Sequence, residues 1–347
     1  MIRGVFMATI RDVAELAGVS VATVSGVINQ SCKVSDKLTA KVLAAAKELN
    51  YHPNRLARAL SVKRTHLIGC LVPTIVNPFF PQIVKSVEDI AFQNNIGVFV
   101  CNSEGRSEKV SYYIQMLLET QVDGVIIALS WELAKPEVIN PFLEAGIPVV
   151  GLAGARRLAT IDCVVTDDVH GGFEATSHLI SLGHAKIAFI GAQNSESTRL
   201  RLMGYQKALT ENDIAFDERY VVLGSAFSEV ESYTLTKVLL ERYPEITAIF
   251  AYNDIMALGI LSAANDNGYL VPQDISVIGF DDTVAFSLPK LSTIAIPKEE
   301  MGRIAANILM DRIQGKAEPP HIFEIPPKLV IRNSTSRVRA DSFRITG

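Results

Sequence analysis

Thr9–Asn29 reads T-I-R-D-V-A-E-L-A-G-V-S-V-A-T-V-S-G-V-I-N, and Asn50–Leu60 closes the same segment as N-Y-H-P-N-R-L-A-R-A-L. Thr9 stands where an N-cap belongs, and Asp12 suits the positive end of the helix it opens. Val13, Leu16 and Ala17 fall at i, i+3 and i+4, which predicts one buried stripe. Gly18 is free to take the left-handed conformation that ends this helix, and Ser20 caps the next. On the second helix Val24, Val27 and Ile28 form the predicted buried side. Val21, Ala22, Ser25, Gly26 and Asn29 form the opposite face. Ser35 caps a third helix, in which Leu38, Val42, Ala45, Ala46 and Leu49 keep helical spacing and close a small core. Two short helices joined by a glycine-containing turn make a helix-turn-helix, whose second helix lies in the major groove of DNA.

Charge supports that partner. Residues 1–65 carry a net +6 and residues 66–347 a net −10. A basic head on an acidic body fits a polyanion for the head only. The remaining composition sets bounds. A chain of 347 residues calls for two or three folding units. With 48% hydrophobic and 20% charged residues it reads as a soluble, cytoplasmic protein. No apolar run approaches the ~20 residues of a membrane span. Met1–Phe6 has no apolar core of a signal peptide. Residues 1–8 are expected to be a disordered start. Cys32, Cys70, Cys101 and Cys163 are scattered, without metal-ligand spacing, so no metal, no cofactor and reduced thiols are expected. The six histidines (His52, His66, His170, His178, His184 and His321) read as surface or helix-end residues. No nucleotide-binding glycine fingerprint or nucleophile motif occurs, so no catalytic residue is assigned.

Asn54–Leu60 is helical in pattern behind Pro53, but two turns are marginal alone in water. After Lys63–Thr65, apolar runs alternate with helical patterns. One series of strands starts at Leu67, Gly97, Gly124 and Pro148. A second starts at Cys163, Ile187, Tyr220, Ala248 and Ser276. Strand Ser292–Ile296, helix Met301–Ile313 and strand Lys328–Ile331 follow. Continuous Val/Ile strands separated by helices mean parallel sheets covered on both faces. Ligands of such sheets bind beyond the carboxyl ends of the strands. Asn253 and Asp281 follow strands and read as contacts to a polyhydroxylated ligand, which needs donors and acceptors. Asp254 reads instead as the cap of the next helix, and Asp282 as a second cap. Arg199 reads as a surface charge.

G-V-S-V-A-T-V-S-G-V-I-N, V-S-D-K-L-T-A-K-V and N-Y-H-P-N-R-L-A-R-A-L, in this order and spacing, resemble the headpiece of the lac/gal repressor family of bacterial transcription regulators. The resemblance runs to about residue 335. It implies an all-α helix-turn-helix headpiece plus an α/β two-lobed periplasmic-binding-protein-like body with two doubly wound parallel sheets. It implies a headpiece at 9–53, a hinge helix and linker at 54–65, and an effector-binding and dimerisation domain at 66–339. The first lobe would be about 66–164 and 296–327, the second about 165–295 and 328–339. Residues 340–347 would be a mobile tail. Hinge helices of two chains would pair in the minor groove, with Leu60 as the wedge, Ala57 as the small residue of the close approach and Asn54 at the helix start. Thr9, Ser20 and Ser35 at helix starts, with Val21, Ala22, Thr23, Ser25, Gly26 and Asn29, are the remaining DNA-facing candidates. Val21 and Ala22 reach only thymine methyls, and Gly26 reads no base directly.

For the body, the resemblance points to Asn77, Phe79 and Phe80 after the first strand, to Arg201 in T-R-L-R-L-M-G-Y and to Phe227 as an aromatic wall. One ring of the Phe79–Phe80 pair is expected in the core. The implied protein is a ligand-responsive repressor that binds a near-palindromic double-stranded operator as a homodimer. The tail lacks the leucine heptads of a tetramer. The small-molecule effector would be a sugar, a sugar phosphate or a nucleobase-like compound. Solute-binding transport on the same fold, and an enzyme on a nucleotide-binding fold, are the competing classes.

Overall fold

A computed structural model describes residues 8–28, 32, 34–52, 64–128, 130, 133–153, 158, 160–193, 195–284, 287–316 and 318–339. The chain divides into two compact units, residues 1–65 and residues 66–347. Asn29, Asn54, Ala57, Leu60, the start before Ala8 and the tail from 340 lie outside the described residues.

In the first unit α1 (Ile10–Ala17), α2 (Val21–Ile28) and α3 (Asp36–Glu48) enclose a core of Val13, Ala14, Ala17, Val24, Val27, Val42 and Ala45. Thr9 and Asp12 form a reciprocal capping box: the Asp12 amide donates to Thr9 Oγ1, and the Thr9 amide donates to Asp12 Oδ2 at 2.7 Å. Gly18 ends α1 at φ +60°. Two helix-face expectations are corrected. Leu16 is 46% exposed and Ala14 takes its place inside, because an eight-residue helix contacts two partners and its buried arc moves toward both. Gly26 is buried rather than DNA-facing, and a Cβ there would overlap Cys32 Sγ.

The second unit holds two six-stranded sheets. The first runs β11 (Ile322–Ile325), β5 (Asp162–Thr166), β4 (Val149–Leu152), β3 (Gly124–Ala128), β1 (Leu67–Val72) and β2 (Gly97–Asn102), all parallel. The second runs β12 (Lys328–Val330), β10 (Ser292–Ala295), β9 (Ser276–Asp281), β8 (Ala248–Ala251), β6 (Ile187–Ala192) and β7 (Val221–Gly224). Only β12 is antiparallel there. The strand near Cys163 pairs with β4 and so belongs to the first sheet through Thr166, not to the second series. β11 escapes the sequence pattern because it is a four-residue edge strand carrying Glu324.

Three helix pairs are drawn together by glycine. α4 (Phe79–Gln93) lies along α11 (Lys298–Ile313), where a Cβ on Gly302 would come within 2.6 Å of the Ile83 carbonyl. α7 (Asp168–Ser181) crosses α8 (Glu196–Glu211) with its Gly172 against the Arg201 backbone carbonyl. α9 (Glu229–Arg242) meets α10 (Asp254–Asp266) through Gly259, which faces the Glu229 carbonyl. Each glycine lets two backbones approach where any side chain would hold them apart. α5 (Ser107–Glu119) and α6 (Pro136–Glu144) bury Val110, Leu117, Val138 and Phe142 with Leu71, Val125 and Ile127 of the first sheet. His178, at a helix end as expected, and His184 are both buried: His184 contacts Thr247 Oγ1, Ser276 Oγ and the Ser336 carbonyl, and His178 contacts Thr335 Oγ1. Burial lowers the pKa of both rings.

Candidate functional site

Beyond the carboxyl ends of the second sheet's strands, buried charges converge on Arg201. The reason is local. Asp168 and Gly172 are one turn apart on the same face of α7. Gly172 admits the α8 backbone at Arg201, which brings the guanidinium to Asp168. Arg201 Nε donates to Asp168 Oδ1 at 2.9 Å and Nη1 donates to the Tyr252 carbonyl at 2.6 Å. Nη2 lies 3.7 Å from Asp281 Oδ1. The guanidinium also stacks on Phe280, 3.6 Å from the ring centroid, and on Tyr252 at 4.4 Å. Burial opposes its charge, but Asp168, Tyr252 and Asp281 outweigh that and drive the Arg201 pKa up.

Asp281 ends β9 at φ +106°, and Asp282 follows at φ +55°. Two successive left-handed non-glycine residues store strain that the surroundings must hold. Four charged side chains do so. Arg201 faces the Asp281 carboxylate. Arg332 pairs with the Asp282 carboxylate at 2.7 Å. Asp254 Oδ2 accepts from the Thr283 amide at 2.6 Å, and its Oδ1 accepts from Thr293 Oγ1 at 2.6 Å. Lys298 Nζ donates to the carbonyls of Asp281, Asp282 and Ile296. Burial pushes the Asp281 carboxyl up to about 7 against the pull of Arg201. It pushes Asp254 up to about 6 against its two hydrogen bonds. Burial lowers Lys298.

Of two neighbours, Asn253 carries a helix cap beside its expected place at the ligand site, and Asp254 departs from expectation. Asn253 caps α10, its Oδ1 accepting from the Met256 amide at 2.9 Å. Asp254 is not a cap but the latch of the Asp281 turn, and Asp282 is an ion-pair partner of Arg332 rather than a cap. Phe227 is 40% exposed and its ring lies 4.6 Å from Tyr252, so the two make one aromatic wall. Tyr252 gives no signal in the sequence because its carbonyl and its ring face, not its hydroxyl, serve the cluster. Arg199 pairs with Glu196 on the surface.

The first sheet supplies a second set. Asn77 Oδ1 accepts from the Phe79 amide at 3.0 Å and so shapes the entry to α4. Phe79 is in the core, and Phe80 packs on it edge-to-face at 5.1 Å, half-buried. Asn102 Oδ1 ends β2 and Ser130 Oγ follows β3; both are buried without a hydrogen-bond partner among the described residues. Neither stands out in the sequence, where Asn and Ser near strand ends read as loop residues.

In the headpiece, Ser20 Oγ accepts from the Thr23 amide at 3.1 Å and shares a 2.8 Å contact with Thr23 Oγ1. Val21 and Ala22 are exposed, and Thr23 and Ser25 are half-buried. Ser35 occupies the cap position of α3 through its carbonyl, without a side-chain cap bond.

The family model for bacterial regulatory proteins, lacI family, matches residues 9–54, and that for a periplasmic binding protein-like domain matches residues 176–335. The chain is 37% identical over 336 residues to the HTH-type transcriptional repressor PurR of Aliivibrio fischeri, covering 95% of this chain and 99% of that one. The chain belongs to the lacI family of bacterial regulatory proteins. Among solved structures, this lacI-family chain resembles the Lac repressor dimer bound to operator and the anti-inducer ONPF. The TM-score is 0.83 at 33% identity, over 95% of this chain and 99% of that one. It also resembles a complex of the transcriptional regulator CelR with cellobiose, at a TM-score of 0.72 and 31% identity, over 94% and 99% of the two chains. These relatives are transcriptional regulators, not enzymes, and this lacI-family chain is a ligand-responsive transcriptional repressor of the same kind. No helix among the described residues is long and apolar enough to cross a membrane.

Proposed function

We propose that this regulator binds a near-palindromic operator as a homodimer and is controlled by a sugar or sugar-like effector lodged between its two lobes. The observation that carries the effector reading is the Arg201–Asp168–Asp281 cluster beside the Phe227–Tyr252 wall. A carboxylate accepts two hydroxyl protons, and an aromatic face takes the apolar C–H side of a sugar ring. Asn77, Phe80, Asn102 and Ser130 at the first sheet's strand ends would close the site from the other side. A relative in complex with cellobiose adds support for a saccharide.

DNA would be read in the major groove by Val21, Ala22, Thr23 and Ser25 of α2 and by Asn29, with Thr9, Ser20 and Ser35 at phosphates. The hinge residues Asn54, Ala57 and Leu60 would enter the minor groove. Dimerisation has support in Phe92, Phe99, Val100 and Tyr112, large apolar side chains exposed on or beside edge strand β2. The effector acts only through unequal affinity for the DNA-bound and free forms.

The test has two steps. Bound DNA is selected from a random duplex pool, and the winning operator is titrated with cellobiose, ribose and nucleobases present. Release or tightening by a sugar supports the proposal. A response to nucleobases alone replaces the sugar reading, and no enriched duplex removes the DNA reading.

A further inference from the structure

Lys298 belongs to one half of the body and bonds to the other. It opens α11, which lies on β3, β4 and β5 of the first sheet and along α4. Its ammonium nevertheless reaches the turn that ends β9 in the second sheet. The side chain is 6% exposed, and its three donors meet three carbonyl oxygens, those of Asp281, Asp282 and Ile296. Neither neighbouring carboxylate takes it: Asp281 faces Arg201 and Asp282 faces Arg332. Among the described residues its hydrogen bonds all go to backbone carbonyls, and the nearby Asp281 and Asp282 carboxylates add charge attraction. The ammonium is a tether whose far end is the strained pair at φ +106° and +55°.

The other three clamps of that turn, Arg201, Asp254 and Arg332, come from elements of the second sheet's own half or from the segment after β12. Lys298 alone among the four comes from the first sheet's helix layer. The mechanical path continues from it. Gly302, one turn along α11, meets the Ile83 carbonyl of α4, and α4 begins at Phe79 and Phe80. Asp281 on one side and Phe80 on the other are thus joined through two close-packed helices and one ammonium.

We infer that Lys298 is a positioning residue that couples the Asp281 turn to the α11–α4 layer, so that a change at the turn moves the opposite half of the effector site. This rests on the proposed placement of the effector against Arg201 and Asp281. Without the ammonium, the turn relaxes from its left-handed geometry and the two halves lose their tie at this point.

The experiment uses the full-length chain without effector. Amide hydrogen exchange and the distance between spin labels on the two lobes are compared in wild type, Lys298→Met, Lys298→Gln and Arg332→Met. A charged hydrogen bond lost at the turn should speed exchange at 280–284 roughly tenfold or more. In Lys298→Met the faster exchange should extend to 298–302 and the start of α4, with a broadened interlobe distance. Lys298→Gln keeps two donors and should fall between; it also serves if the Met variant does not fold. Arg332→Met should speed exchange at 280–284 only. Exchange raised only at 296–302 in both Lys298 variants, with 280–284 and the interlobe distance unchanged, overturns the inference. A wild type indifferent to cellobiose and ribose would sink the sugar reading instead, and these effector-free readouts would still decide the role of Lys298.

Discussion

Asp281, a proposed effector contact, ties proton uptake to stability. Its pKa in the folded chain is about 7, against about 3.9 for a free aspartate. A raised folded-state pKa means that the native state binds the extra proton. Stability from this group is complete below the unfolded value and is lost as pH rises from about 4 through 7, at no more than about 1.4 kcal/mol per pH unit. His178 and His184, with lowered values, act oppositely, losing stability as pH falls through their own range. A difference measurement isolates the carboxyl: the unfolding midpoint of Asp281→Asn minus that of wild type should grow between pH 5 and pH 7. A constant difference would mean that Asp281 is ionised throughout. Sugar hydroxyls donate to the ionised form, so effector affinity should rise with pH over the same interval and proton release should accompany binding. Gly26 offers a second residue-scale test. Alanine is worth about 1 kcal/mol over glycine in a helix, but its Cβ would overlap Cys32 Sγ. Because the propensity gain is common to both backgrounds, the relieved overlap should make Gly26→Ala more favourable by roughly 0.5–3 kcal/mol in a Cys32→Ala background than in wild type, read by a double-mutant cycle on headpiece stability.

At the scale of elements, the strands are legible in the sequence because buried parallel strands are unbroken apolar runs: Leu67–Val72 and Ala248–Ala251 start where expected. Helix existence is equally plain, since apolar spacing survives a shift of two residues at either end. What escapes is whatever depends on a partner from elsewhere in the chain. Asn253 and Asp254 are both good caps by type, and only the distant Thr283 and Thr293 decide that Asp254 faces the turn. Gly26 reads as a gap on a DNA-facing surface because its neighbour Cys32 lies across a loop. Lys298 carries no signal, as one lysine at a helix start resembles any other. The proposed hinge segment Asn54–Leu60 makes its own prediction. A two-turn helix that forms only on DNA contributes to specific and not to weak, salt-sensitive binding. Leu60→Ala should lower affinity for the selected operator by roughly tenfold or more while leaving random duplex binding unchanged, as read by paired titrations. Equal losses would remove the wedge role.

For the whole molecule, the buried cluster and the charged head should answer salt differently. Arg201 and Asp168 are 5% and 4% exposed, where screening by mobile ions is weak. Removing Arg201 would strand the buried Asp168 carboxylate and cost about 3–5 kcal/mol, so a lost response in Arg201→Ala does not separate contact from folding. Phe227→Ala is the cleaner variant: the ring is 40% exposed and stacks only at the wall. It should weaken sugar binding by roughly tenfold with the unfolding midpoint held. The head is the reverse case. In the proposed complex its +6 would meet phosphates, while the body's −10 would keep nonspecific DNA off the remaining surface. Each phosphate contacted releases a counterion, so operator affinity should fall by roughly 10³-fold or more between about 50 and 200 mM salt. Effector affinity over the same range should stay within about twofold, because its charges are buried. Two titrations across salt check this on one preparation. An effector affinity that falls in step with operator affinity would place the ligand on an exposed charged surface, away from Arg201 and Asp281.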